Sequence, residues 1–363
     1  MSVMMEYKCP FCGGAMEFDS TIQKMKCPYC DSEMTVEEFQ RQQKQSENVQ
    51  DSGAEESRWQ AASDGQWSAG ETDGMRVYAC ESCGGEIVAE ETTGATSCPF
   101  CGNRVVMKGQ FAGDLKPDCI IPFQMDKKAA KNAYYQHLKG KPFLPKPFKD
   151  KNHIDEIKGV YVPFWLYDAE TSAEIVYDAE KTRIWTNGDT EYTEHSQYQV
   201  ERSGRNRFEH LPVDGSKKMD DALMESIEPY DFSGAVPFEP AYMAGYLADR
   251  YDMDQDEQFS RATERIKHSA EESFRETVQG YDSVSVSNSQ IDILSAQYLY
   301  ALYPVWILNT TWQNSKYVFA MNGQTGKMVG DLPVDKQAFW KYVIIRAAII
   351  TAILFALMAG MFS

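Results

Sequence analysis

The chain is 363 residues long and acidic, with 36 Lys and Arg against 54 Asp and Glu and a net charge of −18. This length has room for two or three domains. Residues 1–119 contain ten Lys/Arg and twenty Asp/Glu, and no basic cluster appears there. A surface that binds DNA or RNA needs basic side chains to neutralise phosphates, so the charge argues against nucleic acid as the main ligand.

Eight of the nine cysteines fall into two frames with the same spacing. Each frame reads C-x2-C, fourteen residues, C-x2-C, and the second copy lies 71 residues after the first. This pattern predicts a tandem repeat of one small metal-binding module. The predicted ligands are Cys9, Cys12, Cys27 and Cys30 in the first copy and Cys80, Cys83, Cys98 and Cys101 in the second.

Two C-x2-C turns, called knuckles below, bring four thiolates together in a tetrahedral site. Four soft thiolates favour zinc, and a mononuclear iron site is the second possibility. Disulfides are the other alternative, but ribbon spacing in a reducing compartment favours metal. Glycines follow three of the knuckles, where the chain must turn tightly: Gly13-Gly14, Gly84-Gly85 and Gly102. We therefore predict two zinc ribbons, each with one structural Zn²⁺ ion and no open coordination position for catalysis.

Composition divides the N-terminal third into three parts. Residues 1–45 are predicted to be ribbon 1 with a short helix over 31–45, and residues 75–117 to be ribbon 2 with its connection to the body. Between them, residues 46–74 are rich in Ser, Gly, Gln and acids and predict a flexible linker. Trp59 and Trp67 are unexpected there, and they are either a docking motif for a partner or incidental.

Residues 118–335 are predicted to be an α+β body with an antiparallel sheet. Helices are expected at Asp126–Lys139 and Asp254–Gln279, the first with Asp126 as its N-cap. Asn187-Gly188-Asp189 is the clearest hairpin signal. Strands are predicted at 160–167, 173–177, 183–186, 192–200, 283–286, 298–311 and 316–321.

Two aromatic strands in the body resemble each other. Val160–Tyr167 and Ala301–Leu308 align at an offset of 141, and each places Pro two residues before Trp. The two strands are expected either to pair or pack symmetrically, or to share only the composition of core strands.

No catalytic constellation appears in the body. The five histidines are scattered, and Gly326-Lys327 lacks the residues that a phosphate loop requires, with Met321 and Met328 in their places. Cys119, next to two isoleucines, is expected to be a small buried hydrophobe. The sequence thus predicts no enzyme and no small-molecule substrate.

The C-terminal residues 336–363 predict an interfacial segment and a transmembrane tail anchor. Residues 343–362 are apolar apart from Arg346. A helix of these twenty residues is long enough to cross a bilayer core of about 30 Å. Trp340 and Tyr342 suit the interfacial belt, and the positive charges before the span place the N-terminal part in the cytoplasm. The expected location is the inner membrane, in single-pass topology, with residues 343–362 in the lipid bilayer.

The tandem ribbons, Ile120–Phe123, Lys158–Tyr167, Tyr303–Trp306 and the aromatic-flanked tail resemble one bacterial group. Its members are tail-anchored membrane proteins called TFIIB-type zinc-ribbon proteins or replication-restart helicase-like proteins. The resemblance implies a role in envelope-stress modules that recruit a phage-shock-protein-A-like protein. The missing phosphate loop argues against the helicase label.

The sequence as a whole predicts a multidomain protein with two small zinc ribbons, an α+β body and one C-terminal transmembrane helix. The function expected from it is that of a membrane-anchored cytoplasmic adaptor, which uses the ribbons to bind other membrane or membrane-associated proteins. The alternative is a membrane-tethered nucleic-acid-binding factor of replication or transcription. Closed metal sites and acidic charge favour the adaptor.

Overall fold

The structure is a computed structural model, and it describes residues 7–44, 66–67, 72, 74–90, 97–111 and 115–361. Ribbon 1 is a separate three-stranded antiparallel sheet in which β2 lies in the middle, followed by one helix. Its elements are β1 (Glu17–Asp19), β2 (Lys24–Lys26), β3 (Glu33–Met34) and α1 (Val36–Lys44). Thr35 begins the helix with a reciprocal capping box, because its hydroxyl accepts from the Glu38 N–H and Glu38 accepts from the Thr35 N–H.

The rest of the described chain is built around one large sheet. Its strands are β4 (Met75–Ala79), β5 (Glu86–Glu90), β6 (Val106–Gln110), β7 (Cys119–Ile120), β8 (Lys158–Asn187), β9 (Thr190–Asp214), β10 (Val236–Pro237), β11 (Leu247–Asp249), β12 (Ser283–Trp312), β13 (Ser315–Asn322) and β14 (Met328–Gly330). The helices are α2 (Lys127–Leu138), α3 (Lys151–Ile154), α4 (Asp221–Ser226), α5 (Gln255–Arg275) and α6 (Lys336–Met361).

Ribbon 2 is part of this large sheet rather than a module beside it. The strand order β10-β7-β12-β8-β11-β5-β4-β6 runs from the body through β11 into the three ribbon strands. The link is made by β11, which pairs in parallel with β8 and antiparallel with β5. Only ribbon 1 therefore keeps a sheet of its own.

The fold-class prediction is wrong in its balance, because the molecule is largely β-sheet, with 42% strand and 25% helix. The sequence suggested several short strands between 160 and 200, separated by Gly, Asn and Asp turns. In the structure β8 continues for 30 residues, and β9 pairs with it over nearly its whole length. The acidic residues Glu170, Glu174 and Asp178 alternate with buried residues, so they lie on the solvent face of one strand and do not interrupt it.

The distal parts of β8, β9 and β12 form a long three-stranded arm. The hairpin predicted at Asn187-Gly188-Asp189 is confirmed, since Asn187 pairs with Thr190 and Gly188 has a φ of +63°. Helix α5 packs on one face of the arm and buries Ala173, Ile175 and Tyr177. The Tyr177 hydroxyl donates to the Glu271 carbonyl at 2.9 Å, which fixes the helix along the strands.

The two similar strands pair with each other. Antiparallel register places Val162 opposite Tyr303, and these two positions correspond at the offset of 141. A pseudo-two-fold axis therefore passes between them. Each Pro carbonyl accepts a hydrogen bond of 2.8 Å from a glycine N–H beside the strand pair: Gly215 for Pro163 and Gly323 for Pro304.

The symmetry extends to the helices that begin near each strand. Trp165 Nε1 donates to the Met253 carbonyl at 2.9 Å, and Trp306 Nε1 donates to the Met125 carbonyl at 2.8 Å. Each methionine directly precedes the N-cap aspartate of a helix, Asp254 for α5 and Asp126 for α2. The two halves therefore share a structural unit made of one strand and one helix. In the first half the helix, α5, follows its strand, β8, and in the second half the helix, α2, precedes its strand, β12.

The predicted transmembrane anchor and inner-membrane location are wrong. Among the residues that the structure describes, none of the helices is at once long and apolar enough to cross a bilayer. Helix α6 carries Lys336, Lys341 and Arg346 in its first half, and these charges interrupt the apolar run. The side chains of residues 353–363 lie outside the described part. At its start α6 packs on the body, where Phe339 and Tyr342 contact the Phe143 ring edge-on.

The structure describes only one of the two linker tryptophans. Trp59 lies outside the described residues. Trp67 packs edge-to-face against Phe111, with ring centroids 5.4 Å apart, and against Phe238, with ring centroids 5.7 Å apart. Its side chain is a packing residue between ribbon 2 and the body, and it is not incidental.

Candidate metal centres

All four cysteine knuckles have the same backbone geometry. In the first knuckle the Cys9 N–H donates to the Gly14 carbonyl at 2.7 Å, and the Gly13 N–H donates to the Cys9 carbonyl at 2.8 Å. The same two bonds recur around Cys27, Cys80 and Cys98, each within 0.3 Å of these lengths. The local turn is therefore built by the backbone, which points both cysteines of a knuckle to the same side.

The residue after the second cysteine of each knuckle needs a left-handed backbone. Gly13, Gly84 and Gly102 have φ values of +75°, +71° and +75°, as the tight turn in the sequence suggested. The fourth equivalent position in the chain is Asp31, with a φ of +55°. Ribbon 1 therefore contains one strained non-glycine position that ribbon 2 lacks.

The structure brings the eight cysteines together as two groups of four, and within each group all sulfurs lie within 4.8 Å of one another. Corresponding pairs have similar Sγ–Sγ distances: 3.6 Å for Cys9–Cys30, 3.5 Å for Cys12–Cys27, 3.4 Å for Cys80–Cys101 and 3.6 Å for Cys83–Cys98. A tetrahedral site with Zn–S bonds of about 2.3 Å requires sulfurs about 3.8 Å apart. The two groups fit that geometry, and each can hold one zinc ion.

The pKa is lowered at the thiols of Cys9, Cys30 and Cys101, which favours thiolates there, and it is raised at Cys12, Cys83 and Cys98. All nine cysteines are free rather than disulfide-bonded. Although burial raises the pKa of Cys9, hydrogen bonds from Ser32 Oγ and the backbone N–H groups of Phe11 and Cys12 bring it to about 6. In ribbon 2, Asn103 takes the place of Ser32, and its Nδ2 donates to Cys101 Sγ at 3.4 Å. Thiolate is the form that binds metal, so these donors support a metal site.

The two ribbons differ in how the body covers their knuckles. At ribbon 2, Lys158 Nζ donates to the Ser97 carbonyl at 2.5 Å, and Asn309 Nδ2 donates to the Pro99 carbonyl. The Phe100 ring is only 7% exposed and belongs to the core cluster around β8 and β12. The second knuckle of ribbon 2 is thus part of the interior of the protein.

Ribbon 1 contacts the body through the opposite end of its sheet. The Phe18 N–H donates to the Ala244 carbonyl at 3.2 Å, and the Phe18 ring packs edge-on against Tyr242. Gln23 Nε2 donates to the Phe123 carbonyl at 2.7 Å. These contacts hold the β1–β2 end of the ribbon against the body.

The knuckles of ribbon 1 are exposed. Phe11 is 70% exposed and Tyr29, the equivalent of Phe100, is 75% exposed. Cys12 and Cys30 are also exposed, whereas Cys83 and Cys101 are partly covered. The Tyr29 ring lies over Gly14, where an added Cβ would be 2.5 Å from Cδ2, and the Phe100 ring lies in the same way over Gly85.

Sequence reasoning missed Lys158 and Asn309, which hold ribbon 2 to the body. They lie 61 and 210 residues from their partners in the chain, so no local spacing identifies them. The role of the glycines under the aromatic rings could have been predicted from the sequence, because Gly14 and Gly85 occupy the same position of the repeat.

The structure does not bring the histidines together. His137 contacts the Gly330 carbonyl, His153 contacts Glu156 and Thr310, His195 contacts Glu180, His210 stacks on Phe232 and His268 lies near Glu272.

The prediction for Cys119 is confirmed, and the segment that resembled a phosphate loop is a turn between strands. Cys119 is fully buried, and burial raises its pKa to about 12. Residues 322–326 form a turn between β13 and β14, in which Asn322 Oδ1 accepts from the N–H groups of Gln324 and Thr325.

One curated relative resembles this chain over most of its length. It is a Bacillus subtilis (strain 168) protein named "Uncharacterized protein YdjG", and it is 31% identical over 334 residues. The similarity covers 78% of this chain and 98% of the relative. No protein-family model matches the chain, and no solved structure matches it. Of the features that gave the resemblance to a bacterial zinc-ribbon group, the two four-cysteine clusters are present. The tail anchor of that group has no support in the described residues.

Proposed function

Since the chain belongs to the same family as the Bacillus subtilis protein YdjG, we propose that this family uses one zinc ribbon to build its fold and the other to bind a partner protein. The function is that of a zinc-stabilised adaptor, in which ribbon 1 is the binding module. The observation that carries this proposal is the difference in burial between Tyr29 and Phe100, two equivalent residues of a repeat.

A fold that needed both ribbons only for stability would cover the second knuckle of ribbon 1 as it covers that of ribbon 2. Exposed aromatic rings lose free energy of burial, about 25 cal/mol for each Å² of apolar surface left in water. Tyrosine and tryptophan are also enriched where proteins bind other proteins, because they are large and have few rotamers. Phe11 and Tyr29 on a rigid, metal-held tip therefore support a protein-binding role.

In this proposal the chain is not an enzyme. Each metal site is made of four protein thiolates, which leave no coordination position for water or substrate. The histidines are engaged separately, as described above. The charge of ribbon 1 is near neutral, with five Lys/Arg and six Asp/Glu over 7–44, which favours protein over nucleic acid as the ligand.

The test compares the full chain with two matched double variants, Cys12→Ser/Cys30→Ser in ribbon 1 and Tyr135→Ala/Leu294→Ala at exposed positions outside it. Each is purified by affinity from its own cells, and the co-purifying proteins are identified. The proposal expects a defined set of proteins to be lost only from the cysteine variant, with the thermal unfolding of the body unchanged. Retention of the whole set by the cysteine variant would contradict it.

A further inference from the structure

Phe11 and Pro28-Tyr29 form the exposed tips of the ribbon 1 knuckles. This surface is called the aromatic tip below. The copy of Pro28-Tyr29 in ribbon 2, Pro99-Phe100, is covered within this same chain, so the molecule itself shows how such a knuckle is bound, whereas Ser82, the counterpart of Phe11, is exposed.

Three features describe how the body covers the copy in ribbon 2. The Phe100 ring enters an apolar region formed by β8 and β12. The Pro99 carbonyl, at the top of the knuckle turn, accepts a hydrogen bond from the Asn309 amide. The Lys158 ammonium reaches the Ser97 carbonyl just before the knuckle. The covering surface is thus a sheet face that provides an apolar depression and side-chain N–H donors.

The aromatic tip offers the same groups without these partners. Tyr29 takes the place of Phe100 and Pro28 that of Pro99, and both are exposed. Within the described part of the chain, no donor hydrogen bonds to the Pro28 carbonyl. Phe11 adds a second ring where ribbon 2 has Ser82, so the exposed apolar surface of the tip is larger than that of its copy.

We infer that the aromatic tip docks into a folded partner protein through an apolar depression on a sheet face, with an amide or ammonium side chain that donates to the Pro28 carbonyl. This inference rests on the proposed function and specifies its surface and the chemistry of its partner. The tip has no excess of basic residues, and its recognition groups are aromatic rings and a carbonyl. A polyanion provides neither the depression nor the donor.

The experiment places a photo-crosslinking benzoylphenylalanine at position 29 of the full chain in its own cells. The matched control is position 22, because Ile22 is also exposed in ribbon 1 but lies in the β1–β2 turn, away from the knuckles. The inference expects an adduct with one protein from position 29 and none from position 22. It also expects the mapped adduct site to lie on a sheet face within reach of a Lys, Asn or Gln side chain.

The purified partner is then titrated with the chain and its variants. Tyr29→Ala and Phe11→Ala are each expected to weaken binding about tenfold or more, as for buried aromatic anchors, and Ile22→Ala less than about twofold. Each variant is first shown to retain two zinc ions, so that a loss of binding is not a loss of the ribbon. Raising the salt concentration is expected to change the affinity little.

Several results would overturn the inference: no adduct from position 29, equal adducts from both positions, or an adduct with nucleic acid or with a second copy of this chain. The failure of the inference is distinguishable from that of the proposed function. If the Cys12→Ser/Cys30→Ser variant loses its partners while Tyr29→Ala and Phe11→Ala keep full affinity, the adaptor function stands and the aromatic tip is not its surface. If all of these variants keep their partners, both proposals fail.

Discussion

Ribbon 1 and ribbon 2 have the same ligand spacing and the same knuckle hydrogen bonds, yet they occupy different places in the molecule. Ribbon 2 contributes β4, β5 and β6 to the large sheet and buries its second knuckle against the body. Ribbon 1 keeps a sheet of its own and exposes its knuckles. The comparison teaches that a metal module can be duplicated and then diverge in what surrounds it, while the metal site itself stays the same.

The largest expected difference between the ribbons is the effect of losing the metal. Cys83→Ser/Cys101→Ser is expected to abolish cooperative thermal unfolding of the body, because β4–β6 lose the site that holds them together. Structural zinc contributes about 10–16 kcal/mol in zinc-finger peptides. The equivalent Cys12→Ser/Cys30→Ser variant is expected to keep the main transition. Calorimetry of both variants measures this difference, and equal loss of the transition would show that ribbon 1 is as integral as ribbon 2.

The equivalent aromatic residues give a smaller effect in the same direction. Phe100→Ala removes a buried ring and is expected to lower the free energy of unfolding by about 3–5 kcal/mol. Tyr29→Ala removes an exposed ring, and a change within about 0.5 kcal/mol is expected. Urea unfolding of the two variants provides the comparison. A large loss from Tyr29→Ala would mean that the aromatic tip is buried in the folded protein.

The junction between ribbon 2 and the body contains a pH-dependent group. Burial raises the pKa of Asp249, in β11, from 3.8 to about 8. Between about pH 4 and pH 8 the unfolded carboxyl has lost its proton while the folded one keeps it. The contribution of Asp249 to stability is therefore present at low pH and is lost as the pH rises to about 8.

Asp249→Asn is expected to remove this part of the pH dependence. The free energy of unfolding of this variant, measured with urea and compared with that of the unmodified chain, should rise between pH 5 and pH 8, by a few kcal/mol at most. Asp214, whose pKa burial raises to about 7, is unchanged in both proteins and so serves as an internal control. A constant difference between the two proteins across this pH range would contradict the assignment.

The smallest effect concerns the one knuckle position where the ribbons differ in backbone strain. Asp31→Gly relieves a left-handed residue in ribbon 1, and a gain of about 1 kcal/mol is expected. Gly102→Ala, at the equivalent position of ribbon 2, is expected to cost about the same amount, since its φ is +75° and no atom lies near the added Cβ. Chelator resistance of each zinc site reads out both changes. The same sign for both substitutions would refute the strain argument.

The sequence was sufficient to predict features that depend on residues close together in the chain. The cysteine frames located both four-cysteine groups, and Asp126 and Asp254 indicated helix starts that the structure confirms, with cap hydrogen bonds of 2.6 Å and 2.8 Å. These features depend on contacts a few residues apart, so their signals are local.

Features that depend on distant contacts were missed. The union of ribbon 2 with the body rests on β11 and on Lys158 and Asn309, which are remote from it in the chain. The length of β8 was missed because its solvent-facing acids resemble turn residues. The tail was predicted from the apolar run of residues 343–362 and its aromatic and basic flanks, and the charges in the first half of α6 weighed too little in that prediction.

The most direct test of the difference between the ribbons is stepwise zinc removal by a chelator, followed by hydrogen exchange with native mass spectrometry of the same samples. The account predicts that the first ion leaves ribbon 1 and that faster exchange stays within residues 7–44. Loss of the second ion should then open β4–β6, β11 and the adjoining part of β8 together. If the ribbon 2 ion leaves first, or if its loss opens only residues 75–110, the two ribbons do not differ as described.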